Sequence, residues 1–275
     1  MQRAELTFEA VDDLVAAYTR GKLGQPAQGQ RFTPSSIAPL IELAFSSAHG
    51  HSNSLLGSPW LDSLAQADLR AALRSSQNIW LDSIERRGFM RTVFDQLNSE
   101  DDVPRTRFLI AARKSAEAAG LSVSTAQCMA AALRELESNI REHSEKPQTG
   151  LLAFQATHDG FEFVAADNGV GVLATLRDAP EFKNLVDHGR ALHVALQEGV
   201  SRRGRDPNHG NGFRDLFFGL RSLRANLRFR SGDHALTISG TRPDLKQACL
   251  AQKSPFQGFL AAVRCRSAIA SSATH

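Results

Sequence analysis

The sequence predicts an α+β fold: a two-layer sandwich of helices on a largely antiparallel or mixed sheet, preceded by a mostly helical N-terminal region. Three observations predict it. Met129, Leu133, Leu136 and Ile140 recur at helical spacing within 124–143, as the core-facing stripe of an amphipathic helix does. Residues 151–156 and 161–166 are apolar runs joined through His158-Asp-Gly160, a hairpin signal. Residues 227–230 and 235–238 flank Ser231-Gly-Asp-His234 in the same way.

In chain order, 8–18 has helical spacing. Thr33 reads as an N-cap with Pro34 at the first helical position, before Ile37, Leu40, Ile41 and Leu43. Residues 60–74 and 79–97 read as further helices, and 21–30 and 49–58 as polar loops. His49 and His51 lie in such a loop with no Cys or Asp cluster, so they read as solvated. Residues 98–104, polar, acidic and ended by Pro104, mark a boundary. Residues 107–119 and 124–143 are two helices broken at Gly120. A polar, helical stretch covers 172–208, then a helix at 213–223 and a last strand at 258–265. The expected units are an N-terminal region of 1–104, a domain of 105–265 and a flexible tail of 266–275.

Composition excludes several classes. Of 275 residues, 42% are hydrophobic and 22% charged, as in ordinary globular chains. Lys plus Arg (32) barely exceed Asp plus Glu (29), so nucleic acid is not indicated. Arginines do cluster locally, at 202, 203 and 205 and at 221, 224, 228 and 230. Cys128, Cys249 and Cys265 are odd in number and far apart, which argues against a disulfide framework or a zinc site. No charged-then-apolar leader or long apolar run is present, so no membrane and a cytoplasmic location are expected.

Three segments carry chemistry. Glu135 and Asn139 stand one helical turn apart. A general base beside a magnesium ligand explains them, and so does a solvated helix face. Asp167-Asn-Gly-Val-Gly171 follows an apolar strand. An aspartate that only accepts hydrogen bonds can read a purine amine, and Gly169 and Gly171 let backbone approach a flat ring; a strand-ending turn explains the segment as well. Gly210-Asn211-Gly212 precedes a helix and offers bare N–H groups to phosphate, or simply a flexible helix start.

In order and spacing these segments resemble the GHKL ATPase superfamily, which includes DNA gyrase, ninety-kilodalton heat-shock chaperones, histidine kinases and mismatch-repair ATPases. Leu133-Arg-Glu-Leu-Glu-Ser-Asn139 is similar to its N-box, 167–171 to its first glycine box and 210–212 to the second, which closes the ATP lid. The resemblance implies a Bergerat-type ATP-binding domain over about 105–265. It implies ATP and magnesium as ligands, Glu135 as general base and Asn139 at the metal. Asp167, Gly169 and Gly171 would sit at adenine, and Gly210, Asn211 and Gly212 at the phosphates. Glu142 stands where histidine kinases carry a lysine, and Glu135-x3-Asn139-x3-His143 is closer to anti-sigma-factor serine kinases and stand-alone bacterial ATP-binding proteins. Gly258-Phe259 stands where the family's last strand begins Gly-Thr. The implied function is a signalling ATPase, a protein serine/threonine kinase, or an ATP-gated interaction module. A protein partner or a homodimer accompanies each.

Overall fold

The computed structural model describes residues 2–19, 30–46, 56–92, 102–158, 160–197, 200–201, 204–205, 213–221 and 223–266. It is mixed α+β, with eight α-helices among those residues and a six-stranded sheet.

The chain opens with β1 (Gln2–Glu5), α1 (Phe8–Thr19) and β2 (Gln30–Thr33), and β1 pairs with β2 in parallel. Next come α2 (Ile37–Ser46) and α3 (Ala67–Arg74), then β3 (Ile79–Leu81) and β4 (Arg87–Arg91). The helical layer continues with α4 (Asp102–Ala118) and α5 (Val123–His143), followed by the hairpin β5 (Leu151–Thr157) and β6 (Gly160–Asp167). After it stand α6 (Gly171–Arg177), α7 (His188–Ala195), the short β7 (Val200–Ser201) and β8 (Gly204–Arg205), and α8 (Arg214–Leu220). The chain closes with β9 (Arg224–Thr241) and β10 (Cys249–Arg266). The large sheet runs β3-β4-β5-β6-β10-β9, antiparallel at every step.

Both faces of this sheet are buried. Leu152, Phe154, Phe163, Ala165, Ala261 and Val263 pack with α4, α5, α7 and α8 on the inner face. Their alternate neighbours Leu151, Ala153, Val164, Ala166, Leu260 and Ala262 pack with α1, α2 and α3 on the outer face. Coverage on both sides is why β5 and β6 read as near-continuous apolar runs rather than alternating ones. The helix start at Ser122 caps Thr125 N–H, and Gly120, at φ 86°, separates α4 from α5 as expected.

The N-terminal region departs from expectation. Residues 79–91, expected within a helix over 79–97, form β3 and β4, which extend the same sheet as β5. Gly88 explains part of this, because a side chain there would overlap Leu81 and the Trp80 carbonyl of the neighbouring strand. Of 60–74 only α3 is helical; Phe32 and Trp60–Asp62 exchange backbone hydrogen bonds of 2.8 Å instead. Thr33 ends β2 and does not cap α2. The Glu162 carboxylate of β6 takes that role, accepting Ile37 N–H at 2.6 Å and Ser36 Oγ–H at 2.5 Å. The boundary at 98–104 lies partly outside the described residues, and Asp102 to Pro104 already belong to α4. β3 and β4 therefore join the sheet that β5, β6, β9 and β10 complete, and α1 to α3 cover its outer face.

Four buried charges fasten that layer. Arg228 meets Glu42 at 2.8 Å and Asp12 at 2.6 Å, and Arg230 meets Glu42 at 2.8 Å and Asp12 at 3.1 Å. Lys253 reaches Asp12 at 2.8 Å. Arg228 and Arg230 are thus interior groups, not a basic surface.

The expected reversal at 231–234 falls inside β9. Arg242 N–H donates to Leu223 O at 3.1 Å, so the two ends of β9 meet. A straight strand of 18 residues would hold them about 60 Å apart, so β9 doubles back, with Gly232 at φ 58° in the bend. Its first arm pairs with 260–266 and its second with 249–252. No helix among the described residues is long and apolar enough to cross a membrane.

Candidate functional site

Asp167 is the last residue of β6 and is 3% exposed. It stands opposite Phe259 of β10. Its Oδ1 accepts Gly169 N–H at 2.7 Å. Burial pushes its carboxyl up to about 6, against the pull of backbone N–H groups from Gly169 and Phe259. A raised value means that the folded chain keeps this proton where the unfolded chain has lost it. Stability therefore falls as pH rises from about 4 through 6 and levels off above. Asp167→Asn is expected to remove that loss, on the order of 3 kcal/mol over the window. Urea midpoints of both proteins at pH 4 and pH 7 measure it; parallel pH dependences would mean that Asp167 contributes nothing.

The glycine turn after Asp167 is moulded onto the end of α5. Val170 N–H donates to Ser144 O at 3.0 Å, and a side chain at Gly169 would overlap Ser144 and the Asp167 carboxylate. Gly171, at φ 78°, opens α6 in a conformation that favours glycine. Thr175 Oγ–H, one turn into α6, donates to His143 O at 3.3 Å. So the C-terminal end of the Glu135–Asn139 helix and the 167–171 segment share one corner.

Glu135 is exposed and Asn139 half-buried. With Cys128 they recur at steps of seven and four, which puts all three on one face of α5. α8 lies against that face: a methyl on Gly219 would stand 2.7 Å from Cys128 Cβ and Met129 Cε. Gly210, Asn211 and Gly212 lie outside the described residues, as do Arg202 and Arg203. The residue after them, Phe213, sits edge-on to Phe229 at 5.5 Å, and Phe229 stacks on Phe259 at 6.4 Å, beside Asp167. The helix start that follows the second glycine segment is therefore anchored at the same corner.

Two groups here are not among the site residues expected from the sequence. Ser231, buried in β9, accepts Val172 N–H at 3.0 Å and donates to Gly258 O at 2.8 Å, tying α6 to both long strands. Gly258, at φ 80°, leaves no room for a side chain against the Asp167 backbone. Phe259 occupies the next position with an aromatic ring and no hydroxyl. Glu142 is exposed on α5 and accepts Ser138 Oγ–H at 2.8 Å.

Chemically, the corner offers a buried carboxyl at the end of β6, acceptor-only once ionised, and a half-buried carboxamide and an exposed carboxylate residue along one face of α5. No cluster of three or more His, Cys, Asp or Glu able to hold a metal occurs among the described residues. No family model, no curated protein and no solved structure matches this chain.

Proposed function

We propose that the chain is a GHKL-type protein that binds ATP with magnesium at the corner of α5, β6 and α8, and hydrolyses it. One observation carries the reading. The end of α5 and the glycine turn pack on each other around buried Asp167, with Glu135 and Asn139 on the face of α5 that α8 approaches. On this reading β5, β6, β9 and β10 with α4 to α8 form a two-layer Bergerat-type sandwich, β3 and β4 extend its sheet past β5, and α1 to α3 are a further layer on its outer face.

The residues fit the ligands. A carboxyl that only accepts suits the exocyclic amine of adenine, and a donor brought to it offsets the cost of a buried charge. With its pKa near 6, Asp167 is mostly ionised at neutral pH and ready to accept. Gly169 and Gly171 hold that carboxylate at a turn without side chains of its own. Asn139 presents one carboxamide oxygen, enough for a magnesium ion whose remaining ligands are phosphate oxygens and water. The bound metal and phosphates supply the electrophile and its charge neutralisation. Glu135, one turn from Asn139 and exposed, orients an attacking water and takes its proton. Gly210, Asn211 and Gly212 give the phosphates backbone N–H groups, ahead of a helix anchored through Phe213.

Glu135→Ala tests the hydrolytic half. Phosphate release is expected to fall about a hundredfold while ATP affinity stays within a factor of two or so. Unchanged turnover would sink the role of Glu135. Labelled ATP incubated with cell extract tests the acceptor. Label recovered as free phosphate fits hydrolysis, whereas label on a protein hydroxyl replaces it with a kinase reaction.

A further inference from the structure

The far end of the sheet's outer face holds a second charged feature. Arg224, Asn226, Ser239, Gly240, Arg264 and Arg266 line a pocket of about 320 Å³. Register fixes its layout. Arg264 stands between Glu162 and Asn226, and Arg266 stands directly opposite Arg224. Alternation along β10 puts Arg264 and Arg266 on the same face as Leu260 and Ala262, the face that α1 to α3 cover farther along. The second arm of β9 adds Ser239 and Gly240. A Cβ built on Gly240 meets nothing within 4 Å, so this glycine borders open space.

The pocket is remote from the nucleotide corner. Arg266 lies seven residues beyond Phe259, the register partner of Asp167. That is about 23 Å of extended strand.

Its chemistry is one-sided. Arginine donates and never accepts, and no lining residue carries a carboxylate. Like charges directly opposite one another on adjacent strands are unfavourable, as Arg224 and Arg266 are. Farther along the same face Asp12 and Glu42 are set against Arg228 and Arg230. Arg264 and Arg266 also hold interactions within the chain, and an anion adds to those partners. A phosphate-bearing anion brings two or more charges and paired oxygens that match the guanidinium fork.

We propose that this pocket binds a small phosphate-bearing anion, with Arg224 and Arg266 gripping it from opposite strands, Arg264 completing the charge, and Asn226 and Ser239 as neutral donors. The site stands on residues that the nucleotide corner does not use, so it holds whether or not the chain binds ATP.

Inorganic pyrophosphate is the probe, titrated calorimetrically into the full chain at low salt. A saturable event is expected in the wild type and in Asp167→Asn alike. It should weaken at least tenfold in Arg224→Gln/Arg266→Gln, and by an intermediate factor in Arg224→Lys, which keeps the charge and loses the fork. Far-UV circular dichroism checks that these exposed substitutions leave the fold intact. The proposal is overturned if the wild type shows no saturation into the millimolar range, or if the double variant binds as the wild type does. Citrate binding as tightly as pyrophosphate overturns the preference for phosphate.

Discussion

Asp167→Asn is expected to weaken ATP binding on the order of a thousandfold, about 4 kcal/mol. The carboxylate is 3% exposed and held at the end of β6 by the Gly169 N–H, so an amine brought to it meets an acceptor already fixed in place. Losing a charged hydrogen bond removes about 1.5–3 kcal/mol, and turning an amide N–H toward an adenine amine adds the cost of an unmet donor. The same substitution removes a buried charge, so the variant should be no less stable than the wild type at pH 7. That pairing separates recognition from folding. Calorimetric titration of ATP and urea unfolding on the same samples read both. ATP bound equally by both proteins would falsify the assignment of Asp167 to the purine.

Glu42→Ala is expected to destabilise the chain by about 3–5 kcal/mol, the usual cost of removing one partner from a buried ion pair. Glu42 is fully buried and serves both Arg228 and Arg230. Without it two guanidiniums share Asp12 in an interior from which water is excluded. Arg228 is held more firmly protonated than usual, since the pull of Glu42 and Asp12 outweighs its desolvation; for Arg230 desolvation wins and the shift is downward. Urea unfolding at pH 7 measures the loss. Replacing the acid and both arginines with apolar residues together should recover much of it, because the penalty belongs to the orphaned charge. A change below about 1 kcal/mol in Glu42→Ala would mean that the cluster is solvated in solution.

The parts of this structure legible in the sequence are those whose signals are local. The stripe on α5, the turn at Gly120 and the β5–β6 hairpin each follow from residues within one element. Phe8 to Thr19 is likewise a helix on its own periodicity. The N-terminal strands were not legible, because both are short: Arg87–Arg91 acquires its conformation by pairing with β5, about sixty residues on, and Ile79–Leu81 by pairing with Arg87–Arg91 in turn. The buried arginines were illegible for the same reason on a larger scale. Arg228 finds its carboxylates 186 and 216 residues away in the chain, and Ile37 finds its cap at Glu162, 125 residues away. At the candidate site, the three segments could be ordered from sequence. The meeting of the end of α5 with the 167–171 turn depends on Ser144, Ser231 and Gly258, small residues that acquire these contacts only when β6, β9 and β10 are side by side.

The layer over the outer face is an intramolecular ligand. Segments joined in one chain compete at effective concentrations on the order of millimolar, without any further contact. A separate protein present at micromolar levels and offering the same contacts would lose that face to α1–α3 by about a thousandfold. An outsider gains entry only by matching the charges that Asp12 and Glu42 present, or by acting on a chain whose ion cluster has first been broken.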